Sequence, residues 1–157
     1  MPKITPCLWF NGNADEAVQH YCAIFKNSRV KSLSRYTEGM PMPAGTLLVA
    51  MLELDGQEIM LLNGGANFPF SEALSLYIDC ANQEEVDWFW EQLSAGGEQG
   101  QCGWLKDKFG VSWQVVPTFL DTLIYDPDPV KARRVTEAML AMQKIDIAAL
   151  QRAYDGK

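Results

Sequence analysis

A chain of 157 residues, 48% of them hydrophobic, can bury its own core and needs neither a disulfide nor a structural metal to fold. Its net charge of −7 is unevenly spread: residues 36–130 hold only Lys106 and Lys108 against fifteen acids. An acidic middle repels phosphates and argues against a nucleic-acid partner.

The amino terminus, Met1-Pro2-Lys3-Ile4-Thr5-Pro6, lacks the apolar stretch of an export signal. The first strand-like segment runs Ile4–Phe10, with Asn11-Gly12 as the following turn. Asn13 then stands as a helix cap with Glu16 three residues on, a variant of the capping box. Ala14, Ala17, Val18, Tyr21, Ile24 and Phe25 fall on one helical face. Strand-like runs follow at about Arg29–Tyr36, Thr46–Leu54 and Glu58–Asn63, and Asp55-Gly56 is the hairpin signal between the last two.

A second segment, Leu74–Ile78, leads to Asn82 as a cap with Glu85 in the same relation. Val86, Phe89, Trp90 and Leu93 form the buried face of that helix, and Gly96-Gly97 ends it. Shorter strand runs follow near Glu98–Gly100, Cys102–Lys106 and Val111–Val116, with Phe109-Gly110 as a turn. Leu8, Trp9 and Phe10 map onto Leu76, Tyr77 and Ile78 at an offset of 68, and the helices map at 69, so the order β-α-β-β-β occurs twice. Pro117 is expected to break the last strand. Thr118–Tyr125 reads as a short helix, Val130–Met142 as an amphipathic one, and Asp146 as the cap of a final helix through Tyr154.

No apolar run reaches the roughly 20 residues of a membrane span. Cys7, Cys22, Cys80 and Cys102 match no CxxC or zinc spacing. The expectation is a soluble cytoplasmic protein with reduced thiols and no membrane partner.

Two tandem βαβββ modules resemble the vicinal-oxygen-chelate superfamily, the glyoxalase/bleomycin-resistance type. The chain is most similar to its PhnB-like branch, which often carries the label demethylubiquinone 3-methyltransferase. The match rests on Ile4–Gly12, Glu16–Tyr21, Phe25–Ser28, Ser75–Cys80, Ile145–Leu150 and Cys102–Gln114, with Trp104–Gln114 the most specific part. The resemblance implies an α+β fold: one domain over residues 1–157, with modules at 1–66 and 72–117 and a helical extension at 118–157. In such proteins each module's strands curl into half a barrel around a ligand, and chains usually pair as homodimers. Trp88, off the apolar face of its helix, and the terminal amphipathic helices are the candidate dimer contacts here.

Strand alternation then assigns faces. Ile4, Leu8, Phe10, Ile59, Leu61, Leu74, Leu76, Ile78, Val111, Trp113 and Val115 are expected in the core. Glu58, Met60, Leu62, Ser112 and Val116 turn the other way. The candidate ligand contacts are Thr5, Cys7, Trp9, Met60, Ser75, Tyr77, Trp104 and Gln114. The four positions where metal-dependent relatives hold His or Glu map onto Thr5, Met60, Ala73 and Gln114, a set with no good ligand for a divalent ion. His20 is the single histidine, which excludes a two-His-one-carboxylate oxygenase by count. It reads as a packing residue of the first helix, and no histidine is placed to activate Cys7 as a nucleophile.

The reading is a metal-free, cofactor-free small-molecule binder. The alternative is a metal-independent enzyme acting on a small apolar or aromatic substrate through Gln114, Thr5 and Cys7. A third reading is methyl transfer, as the branch's label suggests. A nucleotide-type methyl donor calls for a glycine-rich strand-to-helix turn, and neither Gly64-Gly65 nor Gly96-Gly97 supplies one.

Overall fold

The computed structural model describes all of residues 1–157, and the chain divides into two units, Met1–Pro69 and Phe70–Lys157. In the first unit, β1 (Cys7–Phe10), α1 (Ala14–Ile24), β2 (Ser28–Arg35), β3 (Leu47–Leu54) and β4 (Gln57–Asn63) follow in chain order. The strands form one sheet in the order β1-β4-β3-β2. β1 runs parallel to β4, and the other neighbours are antiparallel. The two-residue periodicity explains the core: Leu8, Phe10, Ala50, Leu52, Ile59 and Leu61 are buried on one face of the sheet. The helical stripe Ala14, Ala17, Tyr21 and Ile24 is buried with them. Asp55 and Gly56 both have positive φ, 46° and 86°, the backbone of a tight two-residue hairpin whose twist matches its strands.

The second unit repeats the plan with β5 (Ser75–Cys80), α2 (Gln83–Ser94), β6 (Glu98–Gln99), β7 (Trp104–Lys106) and β8 (Ser112–Pro117). Its sheet order, β5-β8-β7-β6, is the first unit's order again. Val86, Trp90 and Leu93 of α2 are buried, as are Leu105, Trp113 and Val115 of the sheet. Asn82 caps α2 by accepting from the Glu85 amide at 2.9 Å, while the Glu85 carboxylate accepts from the Ala81 amide at 2.7 Å.

Three helices complete the second unit: α3 (Leu120–Ile124), α4 (Pro129–Leu140) and α5 (Ile147–Asp155). The segment between α4 and α5 is tied down by backbone bonds. Cys102 N–H donates to the Met142 carbonyl and Gly103 N–H to the Gln143 carbonyl. The Gln83 side chain donates to the Ile145 carbonyl at 3.0 Å and accepts from the Ile147 amide at 2.8 Å. Ile145, Val135 and Leu150 are fully buried, so this extension adds to the unit's core.

Three expectations from the sequence need correction. Ile4 is 93% exposed rather than core, because β1 begins only at Cys7. Pro6 offers no N–H, and its carbonyl, accepting from Met60 N–H, is the first group of the ladder. Leu74 is also exposed, because β5 begins at Ser75 opposite Ser112. The backbone of Val111, one residue earlier on the partner strand, is already committed to Asp107. Asn13 makes no side-chain cap on α1; Asn63 takes that role from the end of β4. The expectation that the last strand stops at Pro117 agrees with β8, whose final residue is Pro117, in register with Cys80.

Candidate functional site

Each sheet has one face covered by its helix and one that is not. On the uncovered face of the first unit, strand register lines up Cys7, Met60 and Met51 in one row and Trp9, Leu62 and Val49 in the next. These two rows are apolar, while the next row of the same face pairs Glu53 with Glu58, and Glu58 binds Lys3 and Lys31. Trp9 is half-buried: its indole N–H donates to the Ala66 carbonyl at 2.7 Å, and its ring meets Phe68 edge-on at 5.3 Å. Gly64 makes that seat possible, since a Cβ there would lie 1.7 Å from the indole ring. Cys7 is exposed as a residue, yet burial around its thiol pushes its pKa above the usual thiol range. A raised thiol pKa disfavours the thiolate a nucleophile needs. Thr5 lies just before β1 and is half-buried.

In the second unit the uncovered face combines polar and aromatic side chains. One row across the sheet is Glu98, Lys106, Ser112 and Ser75, and the next is Trp104, Gln114 and Tyr77. Gln114 Nε2 donates to Ser75 Oγ at 2.9 Å, so its amide has a protein partner and a fixed orientation. Tyr77 is 49% exposed, and its hydroxyl pKa is raised by burial, then by the charges of Asp121 and Asp79. Trp113, next to Gln114 in sequence, is buried on the opposite face, where its indole donates to Asp107 Oδ2 at 2.9 Å.

The stretch Trp104–Gln114 is thus a hairpin built around one acid. Asp107 is buried, and its Oδ1 accepts from the amides of Phe109 and Val111 at 2.9 and 3.0 Å. These bonds close the turn that sends β8 back along β7, and so set which side chains of β8 face away from α2. Asp107 was not singled out by sequence reasoning, although an Asp three residues before Gly110 is a recognisable turn signal.

Lys106, Glu72 and Glu98 escaped the sequence reading as site residues, and Ser112 was read only as turning away from the core. Lys106 pairs with Glu72, which precedes β5, and lies 4.0 Å from Glu98. The hydrogen bond to Glu72 raises the Lys106 pKa and lowers that of Glu72. Ser112 is 1% exposed and its Oγ has no hydrogen-bond partner. A buried hydroxyl left unmatched costs roughly 1–3 kcal/mol. The signal available in the sequence was that Lys106 is one of only two bases in residues 36–130.

Of the four positions that the resemblance suggested for metal ligands, Thr5 and Met60 belong to the first unit and Ala73 and Gln114 to the second. Ala73 is exposed, and only its backbone is polar, its amide donating to Ser71 Oγ. No three His, Cys, Asp or Glu side chains come together as a group that could hold a metal ion.

Comparison with known proteins agrees with this architecture. A family signature described as 3-demethylubiquinone-9 3-methyltransferase matches residues 2–116. A Bacillus cereus protein described as a putative 3-demethylubiquinone-9 3-methyltransferase, PhnB protein, is 39% identical. The match covers 72% of this chain and 97% of that one, with a TM-score of 0.67. A Pseudomonas aeruginosa protein of known structure is 21% identical over 72% of this chain and 95% of its own, with a TM-score of 0.61. The fosfomycin resistance protein FosX from Listeria monocytogenes, crystallised with Mn(II) and sulfate, is 16% identical over 71% of this chain and 88% of its own, with a TM-score of 0.50. At that identity FosX shares the fold alone. No curated protein matches the chain. The duplicated βαβββ sheets are of the glyoxalase/bleomycin-resistance type in fold, and the chain belongs to the PhnB-like family described as 3-demethylubiquinone-9 3-methyltransferase.

Proposed function

We propose that this protein binds a small, largely apolar molecule on the uncovered faces of its sheets, without a metal or another cofactor. Thr5, Cys7, Trp9 and Met60 are the contacts on the first unit, and Ser75, Tyr77, Trp104 and Gln114 those on the second. The observation that carries this reading is the row Trp104–Gln114–Tyr77, two aromatic rings flanking an oriented amide on a face that no helix covers. Aromatic rings supply apolar area at low entropic cost, and one fixed amide supplies orientation; ligand sites combine the two.

The metal-free part of the proposal is supported by donor chemistry. Thr5, Met60, Ala73 and Gln114 offer at most neutral oxygens, which cannot replace imidazoles and carboxylates around a divalent ion. FosX is therefore a guide to the fold and not to the chemistry. Methyl transfer, which the family description names, would draw on a donor cofactor held by a glycine-rich turn. The strand-to-helix turns here are Asn11-Gly12-Asn13 and Ala81-Asn82, and neither is of that kind. Proton transfer without a metal is a second reading, since Gln114 could steady a developing charge; Cys7, with its raised pKa, is a poor partner for it. We further propose that the protein is a cytoplasmic homodimer; no helix is long and apolar enough to cross a membrane.

The test is to release and identify whatever small molecule co-purifies with the full chain, then to incubate the protein with it. Recovery of an apolar compound unchanged supports binding, its conversion supports catalysis, and a stoichiometric metal refutes the metal-free reading.

A further inference from the structure

Beside the row of Trp104 and Gln114, the second unit has a cleft of about 160 Å³ whose lining includes Trp104, Lys106, Ser112, Glu72 and Glu98. We infer that this cleft takes the carboxylate of a small organic acid, held by Lys106 Nζ and Ser112 Oγ, with the acid's flat apolar body against Trp104. The inference rests on the small-molecule reading above and names the ligand's chemical class.

Two independent observations converge here. Ser112 is a buried side chain whose hydroxyl has no partner, and it lines the cleft. A buried donor without a protein partner is open to a ligand acceptor or a water that the ligand displaces. Lys106 is its direct neighbour across the β7–β8 ladder, so the two donors stand side by side on the same face, as the two oxygens of a carboxylate require.

The arrangement of charge fixes the sign of the ligand. The Lys106 side chain is 34% exposed, while those of Glu72 and Glu98 are 60% and 77% exposed. The inner charge is therefore the ammonium, and the two carboxylates are the solvated, movable ones. Glu72 already places a carboxylate on Lys106. An exposed ion pair of this kind holds weakly. A ligand carboxylate that displaces Glu72 exchanges like for like, and gains the Ser112 hydroxyl and the Trp104 surface in addition. A cationic ligand would instead have to share the cleft with the Lys106 ammonium. A divalent metal would find two carboxylates, one of them 4.0 Å from that ammonium.

The experiment is calorimetric titration of the full chain at fixed ionic strength with benzoate, benzamide, benzylamine and inorganic phosphate. The variants are Lys106→Gln, Ser112→Ala and Glu72→Gln, each checked for fold by circular dichroism. Benzoate is expected to bind roughly tenfold or more tightly than benzamide, and to lose about that factor in Lys106→Gln. Ser112→Ala should weaken benzoate severalfold, and Glu72→Gln, which removes the internal competitor, should tighten it. Glu72 is exposed, so its variant keeps the test alive if either of the others fails to fold. Equal binding of benzamide or benzylamine, equal binding of phosphate, or weaker benzoate binding in Glu72→Gln overturns the carboxylate assignment but leaves the small-molecule reading standing. Binding of none of the aromatic probes by the folded protein overturns the assignment as well. A co-purifying ligand that survives such a result would separate that failure from failure of the small-molecule reading.

Discussion

Gln114 and Trp113 are adjacent residues with opposite fates. Trp113 lies in the core with its indole N–H on Asp107, and Gln114 lies on the uncovered face with its amide on Ser75. Trp113→Ala should therefore destabilise the protein by roughly 3–5 kcal/mol, read as a shift of the urea midpoint, because it opens a large cavity and strips a partner from a buried carboxylate. Gln114→Ala should leave that midpoint within about 1 kcal/mol while weakening ligand binding, because the amide's partner, Ser75, is only half-buried. Equal destabilisation by the two variants would contradict the assignment of faces. Gly64→Ala makes a matching test in the first unit. Its Cβ would fall inside the Trp9 ring, so the indole must leave its seat, and the intrinsic fluorescence spectrum should shift even if the fold survives.

At the scale of elements, caps and ladders decide where helices and strands begin. The amino terminus of α1 is held by Asn63, whose Oδ1 accepts from the amides of Gly12 and Ala14 at 3.0 and 3.1 Å. Its Nδ2 donates to the Leu47 carbonyl at 2.9 Å. One fully buried side chain thus joins α1, β3 and β4. Asn63→Ala is expected to cost about 2 kcal/mol or more, beyond an ordinary exposed cap, because three backbone groups, two of them buried, lose their partner. Asn13→Ala, at the position the sequence marks as the cap, should cost far less; chemical denaturation of the two variants checks the order. Glu58 on β4 binds both Lys3 and Lys31, and those hydrogen bonds, Lys3's first, hold its carboxyl down at about 2 against an ordinary 4.5. A depressed carboxyl stabilises the fold above its unfolded value and loses that contribution as pH falls through its folded value. The stability difference between wild type and Glu58→Gln should therefore be full above about pH 5 and vanish between about pH 4.5 and 2.

At the scale of the whole molecule, the two units share one strand order, and the second carries an extension beyond Val116, where the family match ends. That extension is packed through Val135, Ile145 and Leu150, while Tyr125, Val130 and Leu140 remain exposed on it. These exposed apolar residues and the half-buried Trp88 are the contacts proposed for a homodimer. Sedimentation equilibrium at micromolar concentration is expected to give twice the chain mass of 17.6 kDa. A monomer throughout would refute the dimer. Metal analysis of the untagged protein is expected to give well under one zinc, manganese, nickel or iron per chain.

The amino-acid sequence alone determined what depends on near neighbours and on composition. Alternation at Leu8–Trp9–Phe10 and at Trp113–Gln114 set which side chains share a face, because side-chain direction along a strand is a local property. The repeat of strand, capped helix and three strands was legible for the same reason. That the chain holds a single histidine was legible as a count. Tertiary structure decided whatever depends on residues far apart in the chain. Ile4 and Leu74 looked like core strand residues and are exposed, because Pro6 has no N–H to extend the β1 ladder and the Val111 backbone opposite Leu74 is already bonded to Asp107. The α1 cap comes from Asn63, 49 residues beyond the amide of Ala14, so the local Asn13-to-Glu16 signal could not reveal it. Lys106 meets Glu72 and stands beside Ser112 only when β7 lies against β8. Hydrogen bonds and ion pairs between distant residues are fixed by the register of strands, and register is settled by packing and not by any single segment.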